Sequence, residues 1–198
     1  MPKGKHNHPA PPTHLRIFLA SPGDVSEERT VARQVIERLP YDPLLRDRIT
    51  VDLVTWDGPG GAPMEATLTP QEAIKRGLTR PAQCDIVVVI LWSRLGTPLP
   101  TDWETRPDGS PYRSGTEWEY LDAVAGAKAR GVPRILLYRR TEEPSFRPSD
   151  PAFMDKYQQW QAVDAFFADF RNADGSFKGG YNGYETPAAF ADLLEDHL

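Results

Sequence analysis

Ile86-Val87-Val88-Val89-Ile90-Leu91 is a run of six apolar residues, five of them β-branched. Six residues are too few to span a bilayer, and the absence of polar residues excludes a strand with one solvated face. The run therefore predicts a strand buried on both faces, as in the centre of a parallel sheet. Ligands of open α/β sheets bind just beyond the carboxyl ends of the strands. The loop that follows Leu91 is the first place to look for a functional site.

Strand and helix patterns alternate on both sides of this run. Further strands are predicted at 15–20, 49–56 and 134–138, and helices at 24–39, 69–79 and 114–130. The last third departs from the alternation, with a long aromatic-striped helix at 151–172, a turn-rich loop and a final helix that Thr186-Pro187 caps. The pattern predicts an α/β fold, a doubly wound parallel sheet with right-handed crossovers and extra C-terminal helices.

The domain boundaries follow from composition. Residues 1–13 are rich in proline and polar residues, which predicts a disordered tail. Residues 14–198 are expected to form one α/β domain, with 151–198 as its helical C-terminal extension. Because no C-terminal cap is visible before Leu198, we expect the natural chain to continue beyond it.

Charge and composition narrow the functional classes. The net charge is −5 and no basic stripe is visible, which disfavours sequence-independent binding to nucleic acid. One cysteine, no signal peptide and no apolar run of transmembrane length predict a cytoplasmic protein without a membrane partner. All four histidines lie near the chain ends, so no metal site is predicted and carboxylates or hydroxyls are expected to carry any catalysis.

The carboxyl ends of the predicted strands converge on one rim, where the substrate is expected to bind. The residues assigned to substrate binding are Ser21, Asp24, Trp56, Trp92, Ser93, Arg94 and Ser114. The tryptophans are candidates for stacking on a base, and Arg94 for contacting phosphate. Asp24 and Glu27 also have the spacing of a helix-capping box.

Glu119 is the candidate catalytic residue of this rim. Its spacing from Thr116 is that of a capping box, which is the structural explanation that spacing alone favours. The same position projects a carboxylate into the cleft from the start of a helix. Glu117 is the alternate, with favourable placement for the helix dipole as its structural explanation.

Four blocks of the sequence resemble TIR-like domains found at the N-termini of large bacterial NTPases. They are Leu15–Val25 with Glu27-Glu28-Arg29, Asp85–Pro98, Ser114-Gly115-Thr116-x-x-Glu119-Tyr120, and Gly179–Asn182. The resemblance covers most of 15–198 and implies a flavodoxin-like sheet. It also implies hydrolysis of NAD, as substrate and not as cofactor, to nicotinamide and ADP-ribose or a cyclic product. Glu119 matches the essential glutamate best, with Glu117 second.

The resemblance carries further expectations about partners. TIR-like domains self-associate, and the loop after the second strand, here 57–64, often reorders on assembly to complete the active site. Fusion to a downstream NTPase or sensor region, and a role in bacterial immune or anti-phage signalling, are implied in the same way.

The sequence also departs from the TIR pattern, and two other functions stay open. The usual Trp-Cys before the glutamate is missing, Trp118 adjoins Glu119, and 99–113 is an insertion. The first alternative is a non-catalytic adaptor that docks to like domains. The second is a nucleoside deoxyribosyltransferase-like enzyme that uses the same glutamate as a nucleophile.

Overall fold

The computed structural model describes residues 11–55, 79–100, 102–170, 174, 176 and 179–198. Its strands are β1 (Thr13–Ala20), β2 (Ile49–Val54), β3 (Ile86–Leu91), β4 (Arg134–Arg140) and β5 (Asn182–Tyr184). Its helices are α1 (Ser26–Arg38), α2 (Gly115–Arg130), α3 (Phe153–Ala168) and α4 (Pro187–His197), with 3₁₀ turns at Leu39–Tyr41 and Pro81–Gln83. The predicted α/β class is confirmed.

The five strands form one parallel sheet in the order β2-β1-β3-β4-β5. β3 has the bounds that its apolar run predicts, and it pairs with β1 on one side and β4 on the other. Val88 lies opposite Leu19 and Leu136 and is inaccessible to solvent. The central, doubly buried position of this strand is thus confirmed.

Helices cover both faces of the sheet, which makes the fold doubly wound. On one face, α1 and α4 pack over Ile17, Leu19, Val88 and Ile90. On the other, α2 and α3 pack over Phe18, Val87, Val89 and Leu137. The chain proceeds from β1 to β2 in one direction and to β3, β4 and β5 in the other. The topological switch point, where open α/β sheets bind ligands, therefore lies between β1 and β3.

Several element bounds differ from the prediction. β1 begins at Thr13, two residues early and at the last residue of the predicted tail, because Thr13 pairs with Ile49. β2 ends at Val54, and α3 is shorter at both ends than 151–172. The predicted helix at 69–79 falls almost wholly outside the described residues.

The prediction of a loop around Asn182-Gly183 is wrong, because these residues belong to edge strand β5. Asparagine and glycine are typical of turns, so the composition of this segment did not indicate a strand. Backbone pairing with β4 and a hydrogen bond from the Asn182 amide to the Leu137 carbonyl (3.2 Å) stabilise it. A Cβ on Gly183 would lie 3.3 Å from the Thr141 methyl group, so glycine suits this close pairing.

The helix caps correct two predictions and confirm a third. α2 is capped by Ser114, whose hydroxyl accepts from the Glu117 backbone N–H (3.1 Å), so the Thr116–Glu119 capping box is wrong. α1 begins after Val25 without a side-chain cap, so the Asp24–Glu27 box is wrong too. The Thr186 cap of α4, with Pro187 at the first helical position, is confirmed.

Gly126 fixes how closely α2 approaches the turn before β3. A Cβ at this position would lie 2.8 Å from the Ala82 carbonyl oxygen and 2.9 Å from its Cα, where the backbone has no room to yield. We expect Gly126→Ala to lower the free energy of unfolding by up to about 2 kcal/mol, because overpacking costs about 1–3 kcal/mol and the gain in helix propensity offsets only roughly 1 kcal/mol of it. Urea denaturation measures the change.

Gly180→Ala is the control for Gly126→Ala, because a Cβ there meets no atom of the described residues within 4 Å. Its unfolding free energy should stay within about 0.5 kcal/mol of the wild type. A Gly126→Ala protein as stable as the control would show that α2 does not pack against this turn as described.

Candidate functional site

The loops that leave β1 and β3 are joined at the switch point by Asp24 and Ser93. The Ser93 backbone N–H and hydroxyl both donate to Asp24 Oδ2, each at 2.9 Å. Asp24 Oδ1 is buried and has no hydrogen-bond partner among the described residues. This bond explains why Asp24 does not cap α1, and it brings two of the predicted substrate-binding residues into contact.

Arg29 is a residue of this site that the sequence interpretation did not single out. Its Nε donates to the Ser21 hydroxyl at 2.9 Å, and its Nη2 donates to the carbonyls of Ser21 (2.8 Å) and Pro22 (3.0 Å). The guanidinium therefore holds the loop after β1 from the first turns of α1. In the sequence, only its position next to Glu27-Glu28 in the first resembling block pointed to Arg29, and that position does not indicate where the side chain lies.

Glu119 lies in the second turn of α2 with only 2% of its surface exposed. Burial raises the pKa of its carboxyl group from 4.5 to about 8, and the positive charge of Arg29 partly opposes this rise. Among the described residues, no hydrogen bond contributes to this shift. Since Ser114 caps the helix instead, Glu119 has no capping role to explain its burial.

Glu117 is also buried, but its carboxylate is fully engaged. Arg113 donates to it through the backbone N–H and through Nε, both at 2.6 Å, and Arg106 forms a second ion pair. These contacts fasten the inserted segment before α2 to the first turn of that helix. Of the two candidate glutamates, Glu119 is thus the one whose carboxylate forms no structural ion pair with another described residue.

Gly96 allows the loop after β3 to lie against the start of α2. It has φ +121°, and a Cβ would lie 2.9 Å from the Thr116 hydroxyl oxygen. A hydrogen bond from the Gly115 backbone N–H to the Thr97 carbonyl (3.0 Å) also joins this loop to the start of α2. This packing places the loop that carries Ser93 beside the helix that carries Glu119.

The other predicted substrate-binding residues are distributed differently. Ser114 is fully buried, and its hydroxyl donates to the Leu95 carbonyl at 2.7 Å, so it stabilises the loop after β3 and does not line an open surface. Arg94 is half-buried in the same loop. Trp92 turns toward β4, where its indole N–H donates to the Glu142 carbonyl at 2.8 Å. Trp56 lies outside the described residues, as does the loop 57–64.

The chemistry available at the switch point is that of carboxylates and hydroxyls. Asp24 and Arg29 supply charged groups, Glu119 supplies a carboxyl group with a raised pKa, and Ser21 and Ser93 supply hydroxyl groups. Within the described ranges, no group of three or more His, Cys, Asp or Glu side chains has the arrangement of a metal site. In the same part of the chain, no helix is long and apolar enough to cross a membrane.

A buried carboxylate without hydrogen bonds interacts strongly with any positive charge that develops beside it, because the surrounding dielectric is low. The arrangement therefore suits the stabilisation of a cationic transition state.

No protein-family model matches the sequence, and a search of curated proteins found no match.

Proposed function

We propose that the protein is a TIR-like effector domain that hydrolyses NAD. The supporting observation is Glu119, a buried carboxylate without a hydrogen bond among the described residues, on the helix that follows the central strand. Keeping such a group in a folded protein is costly, and perturbed carboxyl groups cluster at functional sites. The choice of NAD hydrolysis as the reaction of this group rests on the four sequence blocks that resemble TIR-like domains.

The reaction breaks the bond between the anomeric carbon of ribose and the nicotinamide nitrogen. Nicotinamide leaves with the electron pair of that bond, and positive charge develops on the ribose. The Glu119 carboxylate stabilises this charge. Water then adds to the anomeric carbon and loses a proton, which gives ADP-ribose; attack by a group of the same ADP-ribose instead of water gives the cyclic product.

The ionisation state of Glu119 couples to substrate binding in this proposal. The free protein holds the carboxyl group largely protonated at neutral pH, because its pKa is raised to about 8. The nicotinamide ring of NAD carries a positive charge, so its arrival favours the ionised carboxylate. Arg29 favours the same form. The substrate thereby helps to generate the charged group that its own cleavage requires.

The nearly complete burial of Glu119 means that substrate reaches it only after a rearrangement. We propose self-association through like domains as the trigger, in line with the TIR resemblance. Signalling in bacterial defence, fusion to an NTPase or sensor region and a cytoplasmic location belong to the same proposal.

The test is to incubate the protein with NAD, both as a monomer and clustered on a multivalent support. Chromatography should show nicotinamide and ADP-ribose, or its cyclic form, from the clustered protein and little from the monomer. The absence of nicotinamide from both samples would favour the non-catalytic adaptor. A covalent sugar adduct on Glu119, detected by mass spectrometry after a nucleoside is added, would favour the deoxyribosyltransferase-like enzyme.

A further inference from the structure

A second candidate site lies beyond the carboxyl ends of β3 and β4, on the opposite side of β3 from the switch point. It is a cavity of about 210 Å³, which we call the edge cavity. Three half-buried aromatic rings line it, those of Trp92, Trp160 and Tyr181. Partly exposed aromatic rings around a small cavity favour a flat, apolar-faced ligand.

Arg140 supplies polar character to the wall of the edge cavity. Its guanidinium lies 4.2 Å from the centre of the Trp92 ring, and it pairs with Glu28 (3.1 Å) and Glu142. Its Nε is buried and has no hydrogen-bond partner among the described residues. The guanidinium is partly exposed and carries more N–H groups than its two ion pairs use, so it can also donate to an acceptor on a ligand in the cavity.

The charges around the cavity argue against an anionic ligand. Arg139 is paired with Asp164, and Arg140 is paired as described above. Glu142 and Glu143 also line the cavity and would repel phosphate while accepting hydrogen bonds from an amino group. The volume suits one heteroaromatic ring system and not a whole dinucleotide.

We propose that the edge cavity binds a planar heteroaromatic base that carries both acceptor nitrogens and an amino donor, as adenine does. The rings of Trp92 and Trp160 would provide stacking surfaces, Arg140 a donor and the nearby glutamates acceptors. Stacking on aromatic side chains is a general mode of base recognition.

The position of the cavity connects it to the switch point. Trp92 lines the cavity, and the next residue, Ser93, is bonded to Asp24. Because neighbouring strands lie about 4.8 Å apart, the two sites begin within roughly 10 Å of each other. The edge cavity would thus receive the adenine end of NAD while the nicotinamide end approaches Glu119. This last assignment rests on the proposed function, whereas binding of a free base does not.

The test measures adenosine binding by saturation-transfer NMR and calorimetry, with inorganic phosphate as a second probe. Wild type and Glu119→Gln should bind adenosine equally and saturably, and neither should bind phosphate at this site. Trp160→Ala should weaken adenosine binding at least fivefold, because losing a stacking ring typically costs about 1 kcal/mol or more, which corresponds to about a fivefold change in Kd. Trp160→Phe should restore it, and Met154→Ala, an exposed residue of the same helix, should leave it unchanged.

The proposal is overturned if adenosine does not bind saturably, or if Trp160→Ala binds it as tightly as the wild type while remaining folded. Phosphate binding that Trp160→Ala leaves intact would also overturn it. Nicotinamide release is measured separately. Adenosine binding without NAD cleavage would remove the proposed function and leave the edge cavity as a base-binding site.

Discussion

Glu119→Gln should stabilise the protein at alkaline pH and have little effect at acid pH. In the unfolded chain the carboxyl group loses its proton near pH 4.5, but in the folded protein it keeps the proton up to about pH 8. Between these values the folded state binds more protons than the unfolded state, so wild-type stability falls as the pH rises and levels off above about 8. Glutamine is neutral throughout and avoids this loss.

The gap between the two proteins should grow from below about 1 kcal/mol around pH 5 to about 5 kcal/mol around pH 9, since each pH unit between 4.5 and about 8 contributes about 1.4 kcal/mol. Urea denaturation across that range measures it. Glu195→Gln, which alters an exposed carboxylate paired with Arg38, is the control and should show no comparable pH dependence. A gap that stays constant with pH would contradict the raised pKa of Glu119.

Glu117→Ala should be the most destabilising single substitution that we describe. Glu117 is 1% exposed and accepts from Arg113 and Arg106, which are themselves partly buried. Its removal takes a carboxylate partner from both guanidinium groups and releases the segment before α2; among the described residues, Arg113 keeps only its ion pair with the exposed Asp169. Breaking a buried ion pair typically costs about 3–5 kcal/mol.

Thermal and urea denaturation of Glu117→Ala measure this loss. Glu195→Ala removes the same type of side chain from an exposed ion pair, and its cost should stay below about 1 kcal/mol. Equal stability losses for the two variants would show that the Glu117 cluster does not anchor the inserted segment.

The sheet was the most predictable part of the molecule. β3 could be assigned residue by residue, because a continuous run of β-branched residues fits a strand buried on both faces and little else. β5 could not, because three residues that include asparagine and glycine carry a turn signal. Only their hydrogen bonds to β4, which depend on the rest of the fold, make them a strand.

The start of α2 shows why the candidate site was harder to predict. Ser114 and Thr116 are both good capping residues, and each is followed three residues later by a glutamate. The sequence therefore contains two capping boxes in overlapping positions, and local propensity does not choose between them. The Ser114 hydroxyl bond to Leu95, together with the close approach at Gly96, favours the earlier position. That choice gives Glu117 a structural role and leaves Glu119 without a role in capping α2.

Arg29 and Asp24 illustrate a second limit of sequence interpretation. Both act between elements that are distant in sequence or separated by a turn, since Asp24 accepts from Ser93 and Arg29 bonds the loop after β1. Their directions depend on how β1 and β3 come together in the sheet. The sequence places such residues at the correct edge, but tertiary contacts decide which neighbours they bind.

Nicotinamide release by clustered wild-type protein and clustered Glu119→Gln tests the central claim most directly. The wild type should release nicotinamide from NAD, and Glu119→Gln should be slower by about two to three orders of magnitude, because it removes charge stabilisation made in the transition state. The variant should remain folded and, near pH 9, be more stable than the wild type. Equal turnover by the two proteins would contradict the assignment of Glu119 as the catalytic residue.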